Sequence, residues 1–297
     1  MSDLVSVIIP SYKGEDKICR AVDSVLAQTY ENIEVFVVDD NGKGTEHQLK
    51  TAEVMQKYEN NKKVNYLVHE VNKNGAAARN TAIRVSKGKF LCFLDDDDAF
   101  LPEKVKLQVD LFNTLSDDYG IVFGAVKEYI SESNIKIHNS QFEEEEFLYR
   151  FLIDDVNACS STVMIRASVM DVVKEWDESF RRHQDWEFFA RVADSFKAAY
   201  ISECCVEKYK YDTNLPKDGK TVEEYRQKYL DKIKYIIEKL PQKQQRAIYD
   251  HHYTDVGKVY IKNHNLKDAL RMAKKTSNFC VALYNYFVDG IRYITSR

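Results

Sequence analysis

Four carboxylates stand side by side in FLDDDDAFLP, residues 93–102, directly after a run of large apolar side chains. Like charges in contact repel one another by about 1 kcal/mol even in water, so a bare cluster of this kind is unfavourable. Carboxylates at the end of a buried strand can hold a hard divalent cation such as Mg²⁺ or Mn²⁺, which also neutralises a diphosphate. The same residues could instead form an exposed acidic turn that caps a helix predicted after Pro102.

Two further polar segments could bind a ligand. Asp39 and Asp40 end the apolar run IEVFVVDD, where a carboxylate can accept hydrogen bonds from a base edge or a ribose, although Asp in DDNGKG is also a good turn former. The segment NKNGAAARN, residues 72–80, has small side chains that let a ligand approach the backbone, and Arg79 can hold a phosphate with two hydrogen bonds. A surface helix with a solvated Arg79 would give the same pattern.

The elements that must position these residues are four apolar runs, spaced by about 30 residues, the length of a strand and its crossover helix. They are VSVII (5–9), IEVFVV (33–38), VNYLV (64–68) and KFLCFL (89–94). Continuous apolar strands that alternate with helices predict a parallel sheet covered on both faces. Each polar cluster follows a strand, so the clusters should meet at the carboxyl edge, where such sheets bind ligands.

Composition limits the classes of partner. Of 297 residues, 43 are Lys or Arg and 47 are Asp or Glu, so no overall basic field is present and nucleic acid is not an expected partner. The six cysteines show no CxxC spacing and are expected to be reduced and buried. No signal peptide and no membrane span is predicted, so we expect a cytoplasmic protein, with contact at the inner face of the cell membrane left open.

Four longer segments carry a family resemblance: VSVIIPSYKG, SVLAQTYENIEVFVVDD, NKNGAAARNTAI and GKFLCFLDDDDAFLPEKV. Together they resemble the nucleotide-binding half of the family 2 inverting glycosyltransferases, over about residues 4–110 in order and spacing. The resemblance implies the α/β GT-A fold, with a Rossmann-like, mostly parallel sheet flanked by helices. It also implies a UDP-sugar donor and Mn²⁺ or Mg²⁺ as cofactor.

The resemblance implies roles for single residues as well. The Asp-x-Asp element of the family matches Asp95, Asp96 and Asp97, of which Asp97, assisted by Asp95, is expected to hold the metal. The nucleotide site is expected to contain these three residues together with Pro10, Tyr12, Asp40, Asn72 and Arg79, and Asp39 is a weaker match. The usual Ser between the acidic residues is Asp96 here, which leaves open whether Asp96 or Asp98 supports the metal.

The family also has an acidic base at the start of a helix in the second half of the domain, commonly within a Glu-Asp pair. In RRHQDWEFF, Gln184 takes the Glu position and Asp185 the Asp position. An inverting transfer is one in-line displacement, so one carboxylate must take the proton of the acceptor hydroxyl. Asp185 is the predicted catalytic base. Glu187 is its nearest competitor, Asp185 could instead only cap the helix, and His183 could contact metal or phosphate.

The remainder of the chain predicts the domain organisation. From about Thr221 the pattern indicates helices only, and DTNLPKDGK is typical of a linker turn. We predict a GT-A catalytic domain at 1–215, with a nucleotide-binding half at 1–115 and an acceptor half at 116–215, and a C-terminal helical region at 216–297. The last helix is apolar nearly all round, which favours packing on the catalytic domain, self-association, or peripheral contact with a membrane.

The predicted function is transfer of a hexose or N-acetylhexosamine from a UDP-sugar to a hydroxyl group. The expected acceptor is a bacterial cell-surface glycan, a polyol-phosphate polymer such as teichoic acid, or a lipid-linked glycan. Two alternatives remain at this point: a sugar nucleotidyltransferase, and a non-catalytic nucleotide or divalent-metal binding module. A sugar nucleotidyltransferase needs a Gly-rich basic loop after the first strand to bind a triphosphate, and PSYKGEDK matches that pattern poorly.

Overall fold

The computed structural model describes residues 2–131, 134–209 and 218–295. The chain separates into two compact units: the first contains Met1–Phe147 and Val156–Asp212, and the second contains Leu148–Asp155 and Thr213–Arg297. The boundary expected near residue 215 lies outside the described residues. The division of the chain at that point therefore stays a prediction.

The first unit is built on one mixed sheet. Its strands are β1 (Val5–Ser11), β2 (Ile33–Asp39), β3 (Val64–Val68), β4 (Phe90–Phe93), β5 (Ala99–Phe100), β6 (Tyr119–Ser131), β7 (Asn134–His138), β8 (Val163–Arg166) and β9 (Lys197–Tyr209). Across the sheet they are ordered β3-β2-β1-β4-β8-β6-β9-β5, and β7 pairs with β6. The first four strands are parallel, as the four apolar runs predict, whereas β8 is antiparallel to both β4 and β6.

Helices cover the sheet and make up the described part of the second unit. The first unit has α1 (Ile18–Leu26), α2 (Glu46–Met55), α3 (Gly75–Ile83), α4 (Lys104–Phe112), α6 (Val169–Val173) and α7 (Gln184–Ser195). The chain passes from the first unit to the second within α5 (Phe147–Leu152). The second unit continues with α8 (Gly219–Ile237), α9 (Gln242–Lys262), α10 (Leu266–Ala273) and α11 (Phe279–Thr295). The expected sheet and the expected C-terminal helices are both confirmed.

The topology places a crevice beside β1. From β1 the chain moves outward through β2 to β3 and then returns to β4 on the other side of β1. Ligands of open α/β sheets bind at such a reversal, beyond the carboxyl ends of the strands. Strands β1, β2 and β4 are almost wholly buried, because apolar side chains on both faces pack against helices. The polar residues that follow them are therefore held on a rigid edge.

The second unit has its own core, in which Val256, Tyr260, Ala269, Met272, Ala273, Ala282 and Tyr286 pack together. Gly257 permits the close approach of α9 to α11, because a Cβ atom there would lie 1.7 Å from the Tyr286 hydroxyl oxygen.

The cysteines and the hydrophobicity of the helices test two further expectations. All six cysteines are free, as expected, but Cys280 is exposed, so the expectation that all six are buried is wrong. None of the described helices is long and apolar enough to cross a bilayer.

Candidate active site

A cleft of about 510 Å³ opens at the carboxyl edge of the sheet in the first unit. Its walls come from the ends of β1 and β2, the loop before α3, the loop after β4 and the approach to α7. The lining residues are Pro10, Ser11, Tyr12, Asp40, Asn72, Asn74, Gly75, Arg79, Asp95, Asp96, Asp97, Arg181 and Gln184. Apart from the weaker match Asp39, every residue expected to bind the nucleotide is among them, so the structure brings these residues together.

The Asp40 carboxylate organises the loop that leads into α3. Its Oδ1 atom accepts hydrogen bonds from the His69 ring at 2.7 Å and from the Lys73 backbone at 2.8 Å. Its Oδ2 atom accepts from the Asn72 amide at 2.9 Å and from the Asn74 backbone at 2.8 Å. A carboxylate has about four acceptor positions, so a nucleotide contact by Asp40 would have to share an oxygen with these donors.

The Asp39 carboxylate stabilises the turn after β2, also by accepting several hydrogen bonds. One oxygen of the buried Asp39 carboxylate accepts hydrogen bonds from the backbone and side-chain amides of Asn41, at 2.9 and 2.8 Å. The other accepts from the Tyr66 hydroxyl at 2.5 Å. Burial and this hydrogen bond raise the pKa of Tyr66. Asp39 does not line the cleft, so the structure assigns it a positioning role within the turn.

The four carboxylates of the acidic loop after β4 have different surroundings. Asp95 and Asp97 line the cleft. Asp96 also lines it, but its Oδ2 atom accepts a hydrogen bond from the Tyr12 backbone at 3.2 Å, and burial raises its pKa to about 7. Asp98 is buried, accepts a hydrogen bond from the Ser161 hydroxyl at 2.5 Å and has Lys208 3.4 Å away.

The loop fits a cation that protein and substrate would hold jointly. Among the described residues, no group of three or more His, Cys, Asp or Glu side chains is arranged to hold a metal ion. Mg²⁺ usually takes only one or two protein carboxylates, and phosphate oxygens and water complete its shell. Burial and the neighbouring Asp95 raise the pKa of Asp97, so its negative charge is poorly compensated. A divalent cation at Asp95 and Asp97 would relieve that cost.

Arg79 joins the acidic loop to the start of α7. Its guanidinium donates to Asp95 at 2.8 Å and to the Gln184 side chain at 3.1 Å, and it lies 4.7 Å from the centre of the Trp176 ring. The side chain is buried, so these contacts hold it in one orientation. Gly75 is needed beside it, because a Cβ atom there would lie 2.9 Å from Gln184 and 3.0 Å from Arg79.

The segment before α7 is fixed by α3. The Asn80 amide donates to the Trp176 carbonyl at 3.0 Å, and the Trp176 backbone donates to Asn80 at 2.9 Å. Arg84 binds both carboxylate oxygens of Glu175, at 2.7 and 2.5 Å. Together with Gln184, these contacts set the position of the first turn of α7 relative to the acidic loop.

Asp185 lies in that first turn, next to the cleft residue Gln184. Burial raises its pKa, and the negative charge of Asp95 raises it further. A base with a raised pKa is better matched to proton transfer near neutral pH. Glu187, the competing carboxylate, is buried and receives two hydrogen bonds from Arg191, each of 2.8 Å. The His183 ring stacks on Trp186, with the ring centres 4.4 Å apart.

Three cationic residues near this site were not assigned to it from the sequence: Arg181, which lines the cleft, Lys208 and Arg20. Lys208, on β9, lies 3.4 Å from the Cys159 sulfur as well as from Asp98. Arg20, on α1, donates to the backbone carbonyl of Asp97, and its guanidinium lies 3.9 Å from the centre of the Tyr209 ring. Neither Lys208 nor Arg20 belongs to a recognisable motif, and the pairing of β9 with β5 and β6 brings Lys208 to the acidic loop.

Comparisons with known proteins agree with this arrangement. The model of the family described as "Glycosyl transferase family 2" matches residues 6–172. The UDP-Glc:alpha-D-GlcNAc-diphosphoundecaprenol beta-1,3-glucosyltransferase WfaP of Escherichia coli is 30% identical over 175 residues, which is 57% of this chain and 64% of WfaP. The amylovoran biosynthesis glycosyltransferase AmsB of Erwinia amylovora is 30% identical over 213 residues, 67% of each chain. The match spans only part of several relatives: it covers 64% of WfaP and between 19% and 61% of four further curated proteins.

The fold also resembles that of a solved structure. The structure of S. aureus TarS 1-349 in complex with UDP-GlcNAc superposes with a TM-score of 0.66 at 17% sequence identity. The match covers 99% of this chain and 92% of that one. At this level of identity the likeness concerns the fold alone.

Proposed function

Because the chain belongs to glycosyl transferase family 2 and has the GT-A fold, we propose that it is an inverting, metal-dependent transferase specific for a UDP-sugar. That it is a glycosyltransferase follows from the family. The proposed reaction moves a hexose or N-acetylhexosamine to a hydroxyl of a lipid-linked glycan or of a cell-surface polymer, either a glycan or a teichoic acid. The proposed location is the cytoplasm, at the inner face of the membrane where lipid-linked acceptors are reached.

One observation carries this proposal: a single cleft holds the nucleotide residues and the acidic loop, and the first turn of α7 adjoins it. Pro10, Tyr12 and Asn72 line this cleft and are the proposed contacts of the uridine. Asp95 and Asp97 would hold Mg²⁺ or Mn²⁺, which supplies positive charge to a leaving diphosphate. The proposed donor site and the proposed base would then lie close together at one edge of the sheet.

The proposed chemistry is a single displacement at the anomeric carbon. The acceptor hydroxyl oxygen attacks that carbon from the side opposite to the diphosphate, and the bond from the carbon to the diphosphate oxygen breaks. Asp185 takes the hydroxyl proton, and UDP leaves with the bonding electron pair. The configuration of the sugar is inverted in one step. Arg79, held by Asp95 and Gln184, positions the acidic loop against the base.

The names of the relatives support the classes of donor and acceptor. WfaP is named as a transferase that uses UDP-Glc and a diphosphoundecaprenol-linked GlcNAc. AmsB is named for the biosynthesis of a polysaccharide, amylovoran, and TarS has been solved with UDP-GlcNAc. A UDP-sugar and a lipid-linked or polymeric glycan acceptor are therefore the substrates to test first.

The experiment measures nucleotide release from a panel of UDP-, GDP- and dTDP-sugars with Mn²⁺, with and without EDTA. We expect release from a UDP-sugar that is lost with EDTA and in Asp97→Ala. Asp185→Asn should lower turnover by about 10²- to 10⁴-fold while UDP affinity changes little, because a general base acts on the chemical step. The matched control is Asp194→Asn, the same substitution at the far end of α7.

Two outcomes would overturn the proposal. If no UDP-sugar turns over and none binds with metal, the nucleotide and metal assignments are wrong. If Asp185→Asn retains the turnover of the control variant, Asp185 is not the base.

A further inference from the structure

The cleft of the first unit is lined by two arginines, Arg79 and Arg181, whose surroundings differ. Arg79 is buried, and its guanidinium already donates to Asp95 and to the Gln184 side chain. Arg181 is exposed, and within the part of the chain that the structure describes it has neither a hydrogen bond nor an ion pair. Of the two arginines, Arg181 is therefore the one that can bind a ligand without giving up a described contact.

The backbone around Arg181 is anchored to the walls of the cleft. Phe180, which precedes it, is buried, and the Phe180 carbonyl accepts a hydrogen bond from the Gln184 amide at 2.7 Å. Two residues earlier, the Glu178 carbonyl accepts a hydrogen bond from the Asn74 amide at 2.8 Å. Asn74 and Gln184 both line the cleft. These contacts hold the Cα atom of Arg181 at the cleft wall, while its side chain stays exposed.

Arg181 lies on the side of the cleft where the proposed reaction takes place. The backbone beside Arg181 is hydrogen-bonded to Gln184, whose side chain accepts from Arg79 at 3.1 Å. Arg79 in turn donates to Asp95, a proposed metal ligand, at 2.8 Å. The proposed base, Asp185, directly follows Gln184. We therefore expect the group within reach of Arg181 to be the diphosphate, which the metal would hold, and not the uridine.

The diphosphate needs more positive charge than the proposed metal supplies. Asp95 and Asp97 together offset the charge of a divalent cation, and Arg79 is already paired with Asp95. When the bond to the sugar breaks, the terminal phosphate gains a further negative charge, because the second ionisation of a phosphate monoester has a pKa of about 6. An arginine suits this charge, since its guanidinium stays protonated and can donate two hydrogen bonds to phosphate oxygens.

We propose that Arg181 binds the β-phosphate of the UDP-sugar and stabilises the diphosphate as it leaves. The bonding electron pair stays on the diphosphate oxygen, Arg181 keeps its proton, and two of its N–H groups donate to oxygens of the β-phosphate. Loss of this contact should affect the chemical step more than the binding of the intact donor, because the charge that Arg181 meets is largest after the bond breaks. The inference rests on the proposed function and adds a residue to its site.

The experiment compares UDP with UMP by titration calorimetry of the full chain with Mn²⁺, because UMP lacks the β-phosphate. Arg181→Gln should weaken UDP binding at least about tenfold, the loss expected for a charge-assisted hydrogen bond, and should leave the affinity for UMP almost unchanged. With a soluble UDP-sugar, the same variant should lower kcat more than it raises the KM of the donor. Arg181→Lys should recover part of the UDP affinity, because lysine keeps the charge but not the planar pair of donors.

The matched control is Arg182→Gln, which removes the same charge from the next residue, one that does not line the cleft. The inference is overturned if Arg181→Gln loses no more UDP affinity than this control, or if the affinity for UMP falls as much as that for UDP. It is also overturned if UDP affinity stays and only the KM of the acceptor rises, because Arg181 would then serve the acceptor.

Failure of this inference can be told apart from failure of the proposed function. A wild-type protein that binds no UDP with metal would refute the proposed function, and this inference with it. Normal turnover by the wild-type protein together with an unaffected Arg181→Gln variant would refute this inference alone.

Discussion

Asp40→Asn should destabilise the first unit by about 3–6 kcal/mol, because the substitution replaces one oxygen that accepts two hydrogen bonds by an N–H donor. In the native site, the His69 ring and the Lys73 backbone donate to one oxygen, and Asn72 and the Asn74 backbone donate to the other. A hydrogen bond to a charged group contributes about 1.5–3 kcal/mol, and two are lost whichever oxygen is replaced. This is a large share of the roughly 5–15 kcal/mol by which domains are stable.

Tryptophan fluorescence during urea unfolding measures this loss in the first unit alone. The sequence has two tryptophans, Trp176 and Trp186, and both belong to that unit. With a urea dependence of up to about 3 kcal/mol per molar, the midpoint should fall by about 1 M or more. The control is Asp110→Asn, which removes an exposed pairing with Lys106 and should move the midpoint far less, because solvent screens such a pair.

A midpoint for Asp40→Asn that moves no further than the control would refute the reasoning. The four hydrogen bonds would then not hold the loop. Binding of UDP distinguishes the two roles that remain for Asp40. A variant that keeps its stability and loses UDP affinity would indicate direct contact with the nucleotide, whereas parallel losses would indicate that Asp40 acts through the loop.

Three further predictions concern other parts of the molecule. Gly14→Ala should weaken binding of UDP with Mn²⁺ at least tenfold by calorimetry, because a Cβ atom would lie 2.0 Å from an Asp96 carboxylate oxygen; unchanged affinity would contradict it. Lys208→Met should cost about 3 kcal/mol or more in urea unfolding, since a buried carboxylate loses its cation, and Lys208→Arg should recover part of the loss. The pKa of Glu223 is lowered from 4.5 to about 2, chiefly by its hydrogen bonds from Arg271, so its contribution to stability is present above pH 4.5 and is lost as the pH falls towards 2. Circular dichroism of the helices should show that loss, and Glu223→Gln should remove this part of the pH dependence.

The parallel half of the sheet could be predicted from the sequence because its strands are continuous apolar runs. Strands β1 to β4 lie within one residue or two of the expected segments. Strand β9 was not predicted, because KAAYISECCVEKY mixes exposed and buried positions without a regular period. Its pairing with β6 includes shifts of register, which a period-two pattern does not reveal. The residue that β9 contributes near the acidic loop, Lys208, was missed for the same reason.

The sequence by itself determined which residues gather at the carboxyl edge, because strand order along the chain and the position of each polar cluster after its strand are local properties. Only the tertiary structure decided what each carboxylate does there. Asp40 holds a loop more than thirty positions away, and Arg79 pairs with Asp95 and Gln184 instead of meeting solvent. The start of α7 reaches the cleft through contacts between α3 and Trp176. Such partners are chosen by packing between distant segments, where burial makes an unpaired charge or amide costly, and no local pattern records that choice.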